Sequence, residues 1–199
     1  MNSRRIWDDL YKTKLEWHYE SKLPGILERK SVLELGFGTG KTLSSILKQK
    51  PKKIIAIDFS KETLSKLNKT IKEKATLINS NFLSFRFKEK FDVIVCYYFL
   101  NNFKREERIK VVNKIKNLLN ANGIILFEDF SIHDLRNKGK TTENNTIKKD
   151  SGRICHFFSK KEISNLFSDF NIRIRENSFK PFRTSNLKRS ILIGFIQLT

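Results

Sequence analysis

Short, nearly unbroken apolar runs recur along the chain: Val32-Leu33-Glu34-Leu35, Ile54-Ile55-Ala56-Ile57, Phe91-Asp92-Val93-Ile94-Val95-Cys96 and Ile124-Ile125-Leu126-Phe127. Runs this short and rich in branched side chains predict strands buried on both faces. Strands are expected over 32–36, 54–58, 76–79, 91–97 and 123–130, and the segments between them, 40–49, 61–73 and 104–120, read as helices. Asn122-Gly123 would cap the last of these. Strands alternating with helices imply an α/β fold built on a doubly wound parallel sheet.

The two ends of the chain read differently. Residues 4–20 carry apolar or aromatic side chains at 6, 7, 10, 11, 15, 17 and 19, a partly helical spacing that predicts an N-terminal helical cover ending at Pro24-Gly25. Residues 133–153 are polar and charged, which predicts a long loop acting as a lid. Ser159, with Glu162 three residues on, has the form of a capping box and starts a helix over 160–168. Segments 171–179 and 188–198 read as two antiparallel strands joined through Lys180-Pro181-Phe182.

With 199 residues and no linker or repeat, the chain is expected to form one domain, 1–199, large enough for its own core. It carries 40 Lys and Arg against 21 Asp and Glu, a net charge of +19. Residues 1–100 hold 20 bases and 11 acids, and residues 101–199 hold 20 and 10, so the charge is spread rather than gathered in a tail. Such a surface attracts polyanions without specificity. Cys96 and Cys155 fit neither a disulfide framework nor a zinc spacing, so no metal is expected. The charged N-terminus and the lack of a long apolar run predict a cytoplasmic protein with no membrane partner. Nothing in the chain sets an oligomeric state.

The chemistry concentrates where the first strand ends, at Glu34-Leu35-Gly36-Phe37-Gly38-Thr39-Gly40. Alternate glycines after a strand allow positive φ and close approach of the backbone to a ligand. Asp58 ends the second strand and can accept hydrogen bonds from both hydroxyls of a ribose. Together they point to a nucleoside-containing cofactor. The dinucleotide pattern G-x-G-x-x-G fails, because its third glycine would fall on Lys41 or Leu43. Gly40-Lys41-Thr42 matches the tail of a P-loop, but the loop's first glycine would be Leu35.

Glu-x-Gly-x-Gly-x-Gly after a strand resembles the first motif of the class I S-adenosylmethionine-dependent methyltransferases, and residues 34–40 match it position for position. The resemblance extends over roughly 30–130. Ile54–Ser60 looks like the second motif, Asn79-Ser80-Asn81-Phe82 the adenine-side motif, with Asn81 where the family usually has Asp, and Asn122–Phe127 the fifth-strand motif. The implied fold is Rossmann-like: seven strands, mostly parallel, with a C-terminal antiparallel hairpin. The implied cofactor is S-adenosylmethionine. The positions that would hold it are Glu34, Gly36, Phe37, Gly38, Gly40, Asp58, Phe59, Asn81, Phe82 and Tyr97.

The cofactor's methyl group is already activated, so the protein's task is to hold the acceptor in line and exclude water. His156, just after the polar loop, Tyr98 at the fourth strand's end and Asp129 at the fifth's are the candidate catalytic residues; His18 and His133 are weaker candidates for a base. Cys96-Tyr97-Tyr98-Phe99 lacks the proline-bearing motif of base-amine methyltransferases, and neither cysteine has the setting for cytosine C5 chemistry. Two acceptors stay open. A small molecule suits the compact chain and its aromatic N-terminal cover, which resembles thiopurine- and tellurite-type enzymes. RNA suits the charge, the six bases against one acid over 171–199, and a distant similarity to wobble-uridine tRNA methyltransferases. A non-catalytic binding protein on the same fold is the third reading; the intact glycine motif and Asp58 argue against it.

Overall fold

A computed structural model describes residues 3–13, 22–180 and 188–198. His18 and part of the helical cover, and Pro181-Phe182 of the C-terminal connection, lie outside these residues. The first described elements are helix α1 (Ser3–Lys12), strand β1 (Ser31–Leu35), helix α2 (Lys41–Lys48), strand β2 (Lys53–Asp58), helices α3 (Glu62–Lys66) and α4 (Lys69–Lys74), strand β3 (Thr76–Asn79) and strand β4 (Phe91–Tyr97). Then come helix α5 (Arg105–Leu118), strand β5 (Leu119–Phe130), strands β6 (Thr141–Glu143), β7 (Thr146–Lys148) and β8 (Ile154–His156), helix α6 (Lys160–Leu166), and strands β9 (Phe170–Phe179) and β10 (Arg189–Leu198).

Seven strands form one sheet in the order β3-β2-β1-β4-β5-β10-β9. The first five run parallel, while β10 lies antiparallel to both β5 and β9. Chain direction across the sheet reverses between β1 and β4, and in open α/β sheets a crevice opens at that point beyond the strands' carboxyl ends. Strand alternation divides the core. Leu33, Leu35, Ile55 and Ile94 face α5 and α6, burying Val111, Ile115, Ile163 and Phe167. Val32, Ile54, Ala56 and Val93 face α2 and α4, burying Leu43, Ile46 and Ile71. Successive residues thus supply opposite faces, which is why the runs are apolar without alternation.

Four expectations change in detail. The helix expected over 61–73 is two short ones, because Leu67 turns extended and Asn68 Oδ1 accepts from the Ile71 N–H at 2.9 Å, starting a new helix. Asn122-Gly123 does not cap α5. The helix stops at Leu118, and the pair sits inside β5, where pairing to β4 jumps from Leu119↔Phe91 to Ile124↔Val93 and Asn122 has φ 59°. Part of the polar segment 133–153 is folded: β6, β7 and β8 form a small antiparallel sheet that buries Thr146 and Ile147. Ser159 caps α6 through the Glu162 N–H, but Glu162 turns its own carboxylate to His156 and Arg108 instead of completing a capping box.

Candidate functional site

The glycine turn between β1 and α2 has φ 73° at Gly36, 49° at Gly38 and 80° at Gly40, a region that side chains strain to enter. A Cβ on Gly36 would stand 2.9 Å from the Phe99 ring, and one on Gly38 2.8 Å from the Tyr11 hydroxyl. Asp58 closes the other side of the turn. Its Oδ2 accepts from the Gly38 N–H at 3.0 Å and its Oδ1 from the Ser60 N–H at 2.9 Å. Burial pushes its pKa up to about 6, against the pull of those two donors. Glu34, behind the turn, is 3% exposed and its Oε2 has no hydrogen-bond partner; burial, then Asp58, push it up to about 8.

Beyond these strand ends lies a cleft of two adjoining lobes. The larger, about 340 Å³, is walled by Asp58, Phe59, Asn81, Phe82, Phe99 and Asn102, among others. The smaller, about 180 Å³, is walled by Phe37, Gly38, Tyr97, Asn101, Phe130 and Arg189, among others. Trp7, Tyr11, Gly36, Tyr98 and Arg153 border both and so mark their junction. Helix α1 lies over this junction. Asp8 on α1 accepts from Ser60 Oγ at 2.5 Å and from the Lys61 N–H at 3.1 Å, which ties the helix to the turn after β2. Trp7 stacks on Tyr11, centroids 5.8 Å apart, and the Arg153 guanidinium lies 5.1 Å from the Trp7 ring.

The sequence-derived candidates separate on this geometry. Gly36, Phe37, Gly38, Asp58, Phe59, Asn81, Phe82, Tyr97 and Tyr98 all meet at the cleft. Glu34 and Gly40 stand behind it, and a Cβ on Gly40 would meet Leu67 at 2.5 Å. Asn81 Oδ1 already accepts from the Leu83 N–H at 2.8 Å, so its acceptor is engaged within its own turn. Tyr98, at φ 51°, donates its hydroxyl to Glu128, and its ring packs on Phe130 at 5.0 Å.

Asp129 and His156 are on neither wall. Asp129 is fully buried, accepts from the Asn101 N–H at 3.0 Å and the Phe130 N–H at 2.9 Å, and is pushed up to about 7 by burial. It positions Asn101 rather than meeting a ligand. His156, 1% exposed, is held between Thr146 Oγ1 at 2.7 Å and the Glu162 carboxylate at 2.9 Å. Strand β8 turns it inward, so it joins the small sheet to α6. The residues that sequence reasoning missed are Arg153, Arg189, Asn101 and Asn102. The Asn pair carried a readable signal: two adjacent amides four and five residues past the apolar strand β4, in the short helical turn Leu100–Asn102. Both have a buried Oδ1 with no hydrogen-bond partner.

These residues fit the cofactor that the sequence resemblance implies. The turn admits close approach, Asp58 at the tip of β2 lines the larger lobe, and Asn102 on the same lobe holds an orphaned acceptor. Among the described residues, no group of three or more metal-ligating side chains is found, and no helix is long and apolar enough to cross a membrane.

Comparisons with known proteins agree with this geometry. A curated relative from Bacillus cytotoxicus, an uncharacterized methyltransferase, is 28% identical over 138 residues, covering 68% of this chain and 65% of its own. The tRNA N(3)-cytidine methyltransferase METTL2 of Gallus gallus is 24% identical over 185 residues, covering 85% of this chain and 50% of that protein. The chain therefore spans about half to two thirds of these relatives' length. Among solved structures, the 1,6-didemethyltoxoflavin-N1-methyltransferase of Burkholderia thailandensis, with 1,6-didemethyltoxoflavin and S-adenosylhomocysteine bound, superposes with a TM-score of 0.72 at 16% identity, covering 98% of this chain and 87% of that one. A sequence profile of the family described as "Methyltransferase domain" matches residues 11–177. By that match, which takes in the glycine turn and Asp58, the chain belongs to the methyltransferase-domain family.

Proposed function

We propose that this protein transfers a methyl group from S-adenosylmethionine to a small-molecule acceptor, with the nucleoside in the larger lobe, the rest of the cofactor along the Gly36–Gly38 turn, and the acceptor in the remainder of the smaller lobe. The observation that carries this is the junction: Gly36, Tyr98 and Arg153 border both lobes, so the cofactor's methyl group and an acceptor can meet there. When bound, the cofactor supplies a sulfonium-activated methyl group. Asp58 accepts from the ribose, Tyr11 and Trp7 roof the junction against water, and Tyr98 orients the acceptor. Its hydroxyl is fixed by Glu128, a carboxylate whose pKa burial raises, so the Tyr98–Glu128 pair can take up a proton from the acceptor. The described parts of 4–20 and 133–153 supply Trp7, Tyr11 and Arg153 to the cleft, which supports a covering role for both segments.

The test is binding followed by turnover. Calorimetry should show S-adenosylhomocysteine binding, and labelled methyl should pass from the cofactor to a small-molecule extract. No binding by the wild type would overturn the reading. An RNA acceptor is the second reading, favoured by the exposed Arg173 and Arg175 on one face of the edge strand β9, and by the likeness to a tRNA methyltransferase. Methyl transfer to bulk tRNA, with none to the extract, would select it.

A further inference from the structure

The two lobes differ in the charged side chains at their walls. Asp58 walls the larger, with Asp8 tied to the same turn. Arg153 and Arg189 wall the smaller, and Arg136 joins Arg189 on the Phe130 ring behind it. The Arg136 guanidinium sits 3.9 Å from the Phe130 ring and that of Arg189 6.0 Å from it. Lys149 reaches the same corner, donating Nζ to the Arg136 carbonyl at 2.9 Å. One fully buried acid, Asp134, orders two of these cations: Arg136 Nε at 2.7 Å and Arg189 Nε at 2.9 Å. For Arg189 that contact uses one of five guanidinium donors.

Among the described residues, the other acids at this corner are already engaged. Glu128 accepts from the Tyr98 hydroxyl. Asp129 sits behind Asn101 and is pushed up to about 7 by burial. Arg153 sits desolvated among groups of both signs: burial lowers its pKa and Arg136 adds to this, while Cys155, Tyr11 and Asp129 raise it.

Resting on the methyltransferase reading, we propose that the smaller lobe selects a planar acceptor that bears an acidic group, with Arg189 and Arg153 on the anion and Tyr98 and Phe130 against the ring. About 180 Å³ between Tyr98, Phe130 and Arg189 accommodates a single ring with a short substituent. Asn101, walling the same lobe with a buried and unpartnered Oδ1, adds an acceptor for an N–H or O–H on the ring. A guanidinium pair can bind carboxylate and phosphate alike through paired N–H donors.

The experiment uses the full chain saturated with S-adenosylhomocysteine and three probes: 4-hydroxybenzoate, phenyl phosphate and the uncharged 4-hydroxybenzamide, titrated by ligand-observed NMR. At least one of the two acids should bind about tenfold more tightly than the amide; which of them does so tells carboxylate from phosphate. Arg189→Gln should abolish that preference, Arg189→Lys should restore part of it, and affinity for S-adenosylhomocysteine should stay within about twofold in both. Equal binding of acid and amide, no binding of either acid, or a preference that survives Arg189→Gln would overturn the proposal. So would a tenfold loss of S-adenosylhomocysteine affinity in Arg189→Gln, which would give the lobe to the cofactor's own carboxylate. Displacement of the bound acid by a short RNA oligonucleotide would give it to a macromolecular phosphate. Failure of the wild type to bind S-adenosylhomocysteine at all would instead sink the underlying reading.

Discussion

The carboxylate of Asp58 and the backbone N–H of Gly38 meet at 3.0 Å across the mouth of the β1–β4 crevice. One contact joins the first motif's glycine turn to the tip of the second strand, and it does so with the oxygen that a ribose hydroxyl would approach. Asp58→Ala should therefore weaken S-adenosylhomocysteine binding by about 1.5–3 kcal/mol, the worth of hydrogen bonds to a charged acceptor. Calorimetry on a variant whose melting curve stays cooperative checks this, and unchanged affinity would remove Asp58 from the ribose.

The same carboxylate makes binding depend on pH. Asp58, pushed up to about 6, must be ionised to accept from both hydroxyls. Affinity for S-adenosylhomocysteine should be flat above about pH 7 and fall as pH drops through 6, by up to about tenfold per unit. Asp58→Asn should flatten the profile in that window.

Stability of the ligand-free protein should move in the opposite direction. Glu34, Asp58 and Asp129 are held at about 8, 6 and 7, all above the ordinary carboxylate value of about 4. The folded state thus binds more protons than the unfolded one. Their contribution is full below about pH 4 and is lost as pH rises through about 6 to 8. Thermal melts between about pH 5 and pH 8.5 should show a midpoint falling by at least ~2–4 °C, the equivalent of ~1 kcal/mol in a chain of this size. A midpoint that rises over this range would contradict the burial of these acids.

Gly38→Val should abolish cofactor binding while most of the fold survives. The new side chain would meet the Tyr11 hydroxyl and force a branched residue to φ 49°. Near-normal calorimetric affinity would move the ligand away from this turn.

His156→Ala should act through stability. Removing the ring takes from Thr146 its 2.7 Å partner and leaves Glu162 with Arg108 at 3.5 Å, a loss of about 1–3 kcal/mol read from denaturant unfolding. Turnover per folded molecule should change little; a loss of activity at full stability would restore His156 as a base.

The apolar runs made the sheet legible, because strands buried on both faces carry their signature in consecutive residues. The cofactor side was legible for a similar reason: the glycine turn and the strand-tip acid each directly end an apolar run. His156 and Asp129 were not, because a residue type suited to catalysis says nothing about which way its strand turns it, and both point into packed interior. Arg153 and Arg189 belong to segments 36 residues apart and share a lobe only after β10 inserts beside β5. That insertion is long-range pairing, which no local pattern announces. The polar stretch 133–153 hid β6 and β7 because three-residue strands fall below the length at which alternation can be read.

Ser60 donates two hydrogen bonds with separate duties, its N–H to Asp58 and its hydroxyl to Asp8 on α1. Docking of the N-terminal helix and occupation of the ribose acid are thus two equilibria sharing one residue. Such coupling is reciprocal: whatever factor the docked helix adds to the nucleoside's affinity, the nucleoside must return to the helix. A label, fusion or protein contact that pulls on residues 3–12 would then regulate the site without touching the cleft.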